Sequence, residues 1–230
     1  MIDIADNIKR VRDSIAEAAV KSGRAPGDIA LVAASKMKPA EMIRQAVDAG
    51  IDAVGENRVQ EMLEKQSQGA YHGAALHFIG HLQSNKVRQV VGACDLIESV
   101  SSAALLELIG KKAASLGIVQ KVLLEVNIGK EPQKSGIFPE QIVEIIESAS
   151  QTEGINVLGL MAVPPVFTEI ERNCYYFDAM LQLFIDISKK KYDNVSMRFL
   201  SMGMSDSYFE AILAGSNMVR IGTAIFGERT

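Results

Sequence analysis

Lys36 closes the small apolar run ALVAAS and is followed by Met37, Lys38 and Pro39, so a primary amine stands where a buried-looking strand stops and the chain turns. A lysine at a strand end ordinarily carries its ammonium out to solvent on an apolar stem. Withdrawn partly from water among Ala33, Ala34 and Met37, the same amine becomes a nucleophile able to form a Schiff base with an aldehyde. Near the other end of the chain, SMGMSDS supplies Ser201, Gly203 and Ser205, and RIGT supplies Gly222 and Thr223. Hydroxyls, backbone N–H groups and a glycine that admits close approach suit a phosphate, although Ser and Gly in a loop are most often turn formers. An amine and an anion cradle together fit an aldehyde that carries a phosphate.

These residues need a scaffold that brings them to one place. Ile4, Ile8, Val11, Ile15 and Ala19 recur at helical spacing, predicting a first helix from Ile2 to about Lys21. Eight short runs then read as strands: DIALVAAS, IDAVG, ALHFIG, CDLIESV, QKVLLEVN, INVLGLMAV, MRFLS and NMVRIG. Helical patterns separate them. Pro39 opens one that ends at Gly50, Pro139 opens another, Thr168 and Glu171 have capping-box spacing before a long apolar run, and Ser205 is placed to cap a helix ending at Gly215. Strands alternating with helices require a mainly parallel sheet covered by helices. Eight strands in about 200 residues favour a closed (β/α)8 TIM barrel over an open doubly wound sheet, which alternation alone does not separate. The expectation is one domain spanning residues 1–230, with the extra N-terminal helix covering part of the gap left by a missing full eighth helix.

In such a barrel the chemistry gathers at the C-terminal ends of the strands. Those ends deliver Lys36, Asn57, His81, Ser99 and Ser101, Asn127, Met161, the SMGMS loop and RIGT, in strand order. The bulk composition excludes other classes. A formal charge of -4 with scattered Lys and Arg gives no basic footprint for nucleic acid or anionic membranes, and no run approaches the length of a membrane span. Cys94 and Cys174 lie far apart in apolar segments without metal-ligand spacing, and the charged N-terminus lacks a signal peptide's apolar stretch, so a cytoplasmic protein with reduced thiols is expected. His77 and His81 are four apart but straddle a strand and a loop containing Gly80, which argues against a metal pair.

Pyridoxal phosphate is the obvious phosphate-bearing aldehyde for Lys36 and the cradle. The motifs ASKMKP, GENRVQE, HFIGHLQSNK, LLEVNIGKEPQKSG, GLMAV, FLSMGMSDS and VRIGTAIFG, in this order from about Ile2 to Gly227, resemble the YggS/PROSC family of pyridoxal phosphate homeostasis proteins. The resemblance implies a type III pyridoxal-phosphate-dependent fold without the second β domain, like the N-terminal domain of alanine racemase. It further implies that Lys36 forms the internal aldimine, that Ser201, Gly222 and Thr223 hold the phosphate, and that Arg220 faces the pyridine nitrogen with Asn57 near the cofactor. His81, Met161 and Ser205 are carried over more loosely, as residues surrounding it.

An arginine at the ring nitrogen would donate to it and keep it unprotonated, weakening the ring as an electron sink. Racemisation also needs proton donors and acceptors on two faces of the substrate carbon, and no sequence-adjacent pair supplies them. The expected function is therefore cofactor carriage and homeostasis by a monomer, with pyridoxal-phosphate-dependent apoenzymes as protein partners and no robust catalysis. The alternative is an amino acid racemase using the same Lys36. A Schiff-base aldolase ranks last, since its lysine commonly lies on strand six, which here ends GLMAVPP.

Overall fold

A computed structural model describes residues 3–165 and 170–228, without the side chains of 170–173. The Thr168/Glu171 capping box therefore lies outside the described residues. The first helix, α1 (Ile4–Lys21), starts at Asp3, whose side chain accepts from the Asp6 N–H at 2.9 Å, and buries the apolar stripe read from its spacing. Then follow β1 (Ala30–Ala34), α2 (Ala40–Asp48), β2 (Ala53–Glu56), α3 (Val59–Ser67), β3 (Ala75–Phe78), α4 (Val87–Val90), β4 (Leu96–Val100), α5 (Ala103–Ser115) and β5 (Gln120–Val126). The second half comprises α6 (Ile142–Ser150), β6 (Ile155–Ala162), α7 (Ile170–Ser188), β7 (Val195–Ser201), α8 (Tyr208–Leu213), β8 (Met218–Ile221) and α9 (Thr223–Phe226).

The strands form a closed barrel in chain order, every neighbouring pair parallel, with β1 against β8 closing the ring. The (β/α)8 expectation is met, and closure leaves no strand edge unpaired. At the N-terminal face a polar residue just before a strand ties it to the preceding one. Asp52 accepts from the Leu31 N–H (2.6 Å), Asp95 from Leu76 (2.7 Å) and Asn217 from Leu200 (2.7 Å). Such contacts satisfy ladder ends that would otherwise be buried without partners.

Two apolar layers result. The larger fills the space between sheet and helices, whereas a small one inside the barrel contains Val32, Ala53, Leu96, Leu123, Leu158, Met161 and Met218. Strand alternation makes the inner layer matter for the site. Two residues beyond Leu96, Leu123 and Met218 the same inward face carries Glu98, Glu125 and Arg220. The barrel interior is thus apolar below and charged just under its C-terminal mouth.

The short last helices differ from the expected pattern. Ser205 does not cap α8: its hydroxyl accepts from the Gly222 and Ala224 N–H groups instead, and the helix begins at Tyr208 after Ser207; earlier in the loop Gly203 has φ +96. A Cβ on Gly203 would come within 2.7 Å of the Ala211 Cβ, so both backbone angle and space call for glycine there. The place of a full eighth helix is taken jointly by α9 and α1, joined by the Asn7 side-chain amide donating to the Ile225 carbonyl at 2.8 Å. The Arg24 guanidinium, just after α1, donates to the carbonyls of Ile212, Gly215 and Ser216, capping the C-terminal end of α8.

Candidate functional site

A cavity of about 370 Å³ opens at the C-terminal mouth. Lys36, Asn57, Ser205, Arg220, Gly222 and Thr223 all line it, with Lys38 and Ile79 beside them. The sequence-derived site residues that do not line it are His81, Met161 and Ser201. His81 is exposed beyond β3, Met161 belongs to the inner apolar layer, and Ser201 is buried one layer beneath Arg220.

Lys36 lies two residues beyond the end of β1 and is half-buried. Its amine makes no hydrogen bond or ion pair among the described residues, in contrast to the lysines near it. Lys38 Nζ donates to the carbonyls of Phe226 (3.2 Å), Gly227 (3.4 Å) and Glu228 (3.0 Å) at the end of α9. Lys65 Nζ donates to Glu56 and to the Ser35 carbonyl. Further round the mouth, Lys130 pairs with Glu140 and Lys134 with Glu131, while the Asn127 side chain braces its own loop by donating to the carbonyls of Glu131 and Lys134.

Beside Lys36, on the adjacent strand end, the N–H groups of Gly222 and Ala224 both converge on the Ser205 hydroxyl oxygen at 3.3 Å. A Cβ on Gly222 would lie 3.1 Å from the Ala34 carbonyl, so glycine is what keeps β8 tight against β1 here. On the third side, a Cβ at Gly80 would collide with the Asn57 backbone at 2.2 Å; its absence lets the end of β3 pass close behind Asn57.

Arg220 is buried at the floor. Its Nη2 donates to the Ala162 carbonyl at 2.8 Å and its Nη1 to the Ser201 hydroxyl, which in turn donates to Glu98 Oε2 at 2.6 Å. Burial works to lower the guanidinium's proton affinity, against the charges of Glu98 and Glu125. Glu98 is fully buried and its other oxygen meets His77 Nδ1 at 2.7 Å. Burial alone would raise its carboxyl, but the His77 hydrogen bond and charge, Arg220 and Ser201 together hold it below the ordinary glutamate range. Glu125 is the opposite case: burial raises it, against a hydrogen bond from Ser135 at 2.8 Å and the charges of His81 and Arg220, and its Oε2 is buried without a partner. Glu98, Glu125 and His77 were not anticipated as part of this floor. The signal that finds them is alternation by two from an inward apolar residue, applied strand by strand.

Among the described residues no group of three or more His, Cys, Asp or Glu is arranged to hold a metal, and no helix is long and apolar enough to cross a membrane. The site is therefore an unpaired primary amine beside a hydroxyl and backbone cradle, over a floor set by one arginine.

The closed barrel falls within the family described as alanine racemase, N-terminal domain, which matches residues 3–230. Within that broad class the resemblance is narrower. The pyridoxal phosphate homeostasis protein of Aquifex aeolicus (strain VF5) is 39% identical over 228 residues, covering 99% of each chain. That of Escherichia coli (strain K12) is 40% identical over 233 residues, covering 100% of this chain and 98% of its own. The solved structure of PipY from Synechococcus elongatus PCC7942 with PLP bound is 30% identical with a TM-score of 0.84, covering 98% of this chain and 100% of that one. The chain belongs to the family of pyridoxal phosphate homeostasis proteins.

Proposed function

We propose that this chain holds pyridoxal 5'-phosphate as a Schiff base on Lys36 and takes part in pyridoxal phosphate homeostasis, without robust catalysis of its own. The observation that carries the reading is the uncommitted Lys36 amine in a cavity that Ser205, Gly222 and Thr223 also line. The volume suits a small phosphorylated ring, and the donor set suits its groups. PipY, similar over nearly the whole chain, has a solved structure with PLP bound. When bound, the cofactor would supply an aldehyde carbon as the electrophile for a primary amine, and Lys36 would be the residue to meet it.

The chain's own residues have separable tasks. Lys36 contributes the amine. Ser205 and the backbone around Gly222 and Thr223 bind the phosphate, and Asn57 borders the ring. Arg220, whose Nε makes no hydrogen bond among the described residues, donates to the pyridine nitrogen while Ser201 and Glu98 hold its far side. A donor that does not give up its proton leaves that nitrogen neutral, so the site stores a reactive aldehyde better than it stabilises a carbanion. The same reading makes residues 1–230 one barrel domain acting as a cytoplasmic monomer, with pyridoxal-phosphate-dependent apoenzymes as recipients.

The deciding experiment is the absorbance spectrum of wild type and Lys36→Ala with added pyridoxal phosphate, followed by borohydride reduction and peptide mapping. A visible imine band, absent in the variant and trapped on the Lys36 peptide, is expected. An adduct on another lysine, or cofactor bound without a band, overturns the assignment. Turnover of an amino acid between its D and L forms, lost in Lys36→Ala, would instead make the chain a racemase.

A further inference from the structure

Both peptide units that flank Lys36 are held by α3. Before it, Ser35 is fully buried: its hydroxyl donates to Glu56 Oε1 at 2.5 Å, and its carbonyl accepts from Lys65 Nζ at 3.0 Å and from the Lys38 N–H at 3.0 Å. After it, Met37 has φ +60, an angle uncommon for a side-chain-bearing residue, and its N–H donates to Glu61 Oε2 at 2.9 Å. Lys65 joins the two halves, lying 2.8 Å from Glu56 and 3.5 Å from Glu61. Tyr71 adds a third donor to Glu56 Oε1, at 3.1 Å. A buried lysine, two glutamates and a tyrosine thus converge on one dipeptide bond on either side of the reactive residue, and none of the four lines the cavity.

A buried ion pair is weak evidence of stabilisation, because desolvation offsets its attraction. Its better use is to specify one geometry, and the geometry specified here includes a strained residue directly after Lys36. We infer that Lys65, with Glu56 and Glu61, is the positioning group for Lys36: it holds the strand end and the left-handed Met37 so that the amine is presented to the cavity before any aldehyde arrives. Prior alignment of a nucleophile removes an entropic cost from its reaction, and small misplacements are expensive. The inference rests on the reading of Lys36 as the Schiff-base residue, but it concerns the amine's presentation and is testable without the cofactor.

The test is reductive methylation with formaldehyde and cyanoborohydride across a pH series, each lysine's rate being followed by peptide mapping, with the exposed Lys190 as internal reference. The variants are Glu61→Ala, which removes the Met37 acceptor from a group about a fifth exposed, and Glu56→Gln/Lys65→Met, which removes both charges of the buried pair together. Circular dichroism and urea unfolding establish that each is folded. The Lys36 rate relative to Lys190 is expected to fall about tenfold in both, with the Lys190 rate the same in variants and wild type at each pH. A fall smaller than about threefold in either folded variant overturns the inference. Adding pyridoxal phosphate to wild type separates the two ideas: fast methylation of Lys36 with no cofactor adduct there defeats the functional reading and leaves the positioning role standing, whereas a normal adduct with unchanged variant rates does the reverse.

Discussion

Ser201 and Ser205 sit four positions apart on one strand-to-loop segment, yet their hydroxyls face different tasks. Ser205 lines the cavity and meets two backbone N–H groups, while Ser201 is consumed between Glu98 and Arg220. Ser205→Ala is expected to weaken pyridoxal phosphate about tenfold, the worth of roughly 1.4 kcal/mol, and Ser201→Ala less than about threefold; fluorescence or calorimetric titration reads both. Equal losses would assign both hydroxyls to the phosphate. Lys36, the SMGMS loop and RIGT were legible because small residues, a proline and a lone amine interrupt apolar strands there. Glu98 inside CDLIESV was not, since a charge in a strand reads as solvent-facing until it is known which face lies inside a barrel. Glu56 and Lys65 escaped for a related reason: their pairing joins a strand to a helix nine residues away, and sequence spacing carries no sign of burial.

At the scale of elements, α1 does the work of a barrel helix while preceding the barrel in sequence. Its stripe of Ile4, Ile8, Val11 and Ile15 is part of the core, and Arg24 carries the connection onward by capping α8. Arg24→Ala leaves three carbonyls without a charged donor, so a loss of about 2 kcal/mol is expected, a fall in Tm of roughly 4–8 °C by calorimetry. An unchanged Tm would show that water replaces the guanidinium at no cost. The eight strands and their order followed from alternation and turn residues. The sequence misled at the last helices, where Ser205 has the composition of a cap but the loop is not yet ready to become helix. Closure itself was undetermined by pattern, because an open sheet shows the same alternation; the β1 to β8 pairing settles it.

Across the whole molecule the charged floor sets a pH dependence with two opposed parts. Glu98 is depressed in the folded state, so the stability it contributes is present at neutral pH and is lost as pH falls through and below the ordinary carboxylate range. Glu125 is raised, so its favourable part is present in acid and disappears as pH climbs from the unfolded value through the folded one. Urea unfolding of Glu125→Gln should therefore show increasing stabilisation relative to wild type over that interval, and Glu98→Gln increasing destabilisation as pH rises from acid towards neutrality. Parallel curves for either variant would mean that its carboxyl titrates alike in both states. A last consequence comes from Lys38, whose amine is seated on the Phe226 carbonyl 188 residues away. If Lys36 takes the cofactor as proposed, then at about 5–20 residues per second its amine leaves the ribosome roughly 10–40 s before Gly222 and Thr223. On that reading a nascent chain halted before β8 displays the amine with nothing to receive the phosphate, and cofactor capture is expected only once the ring has closed.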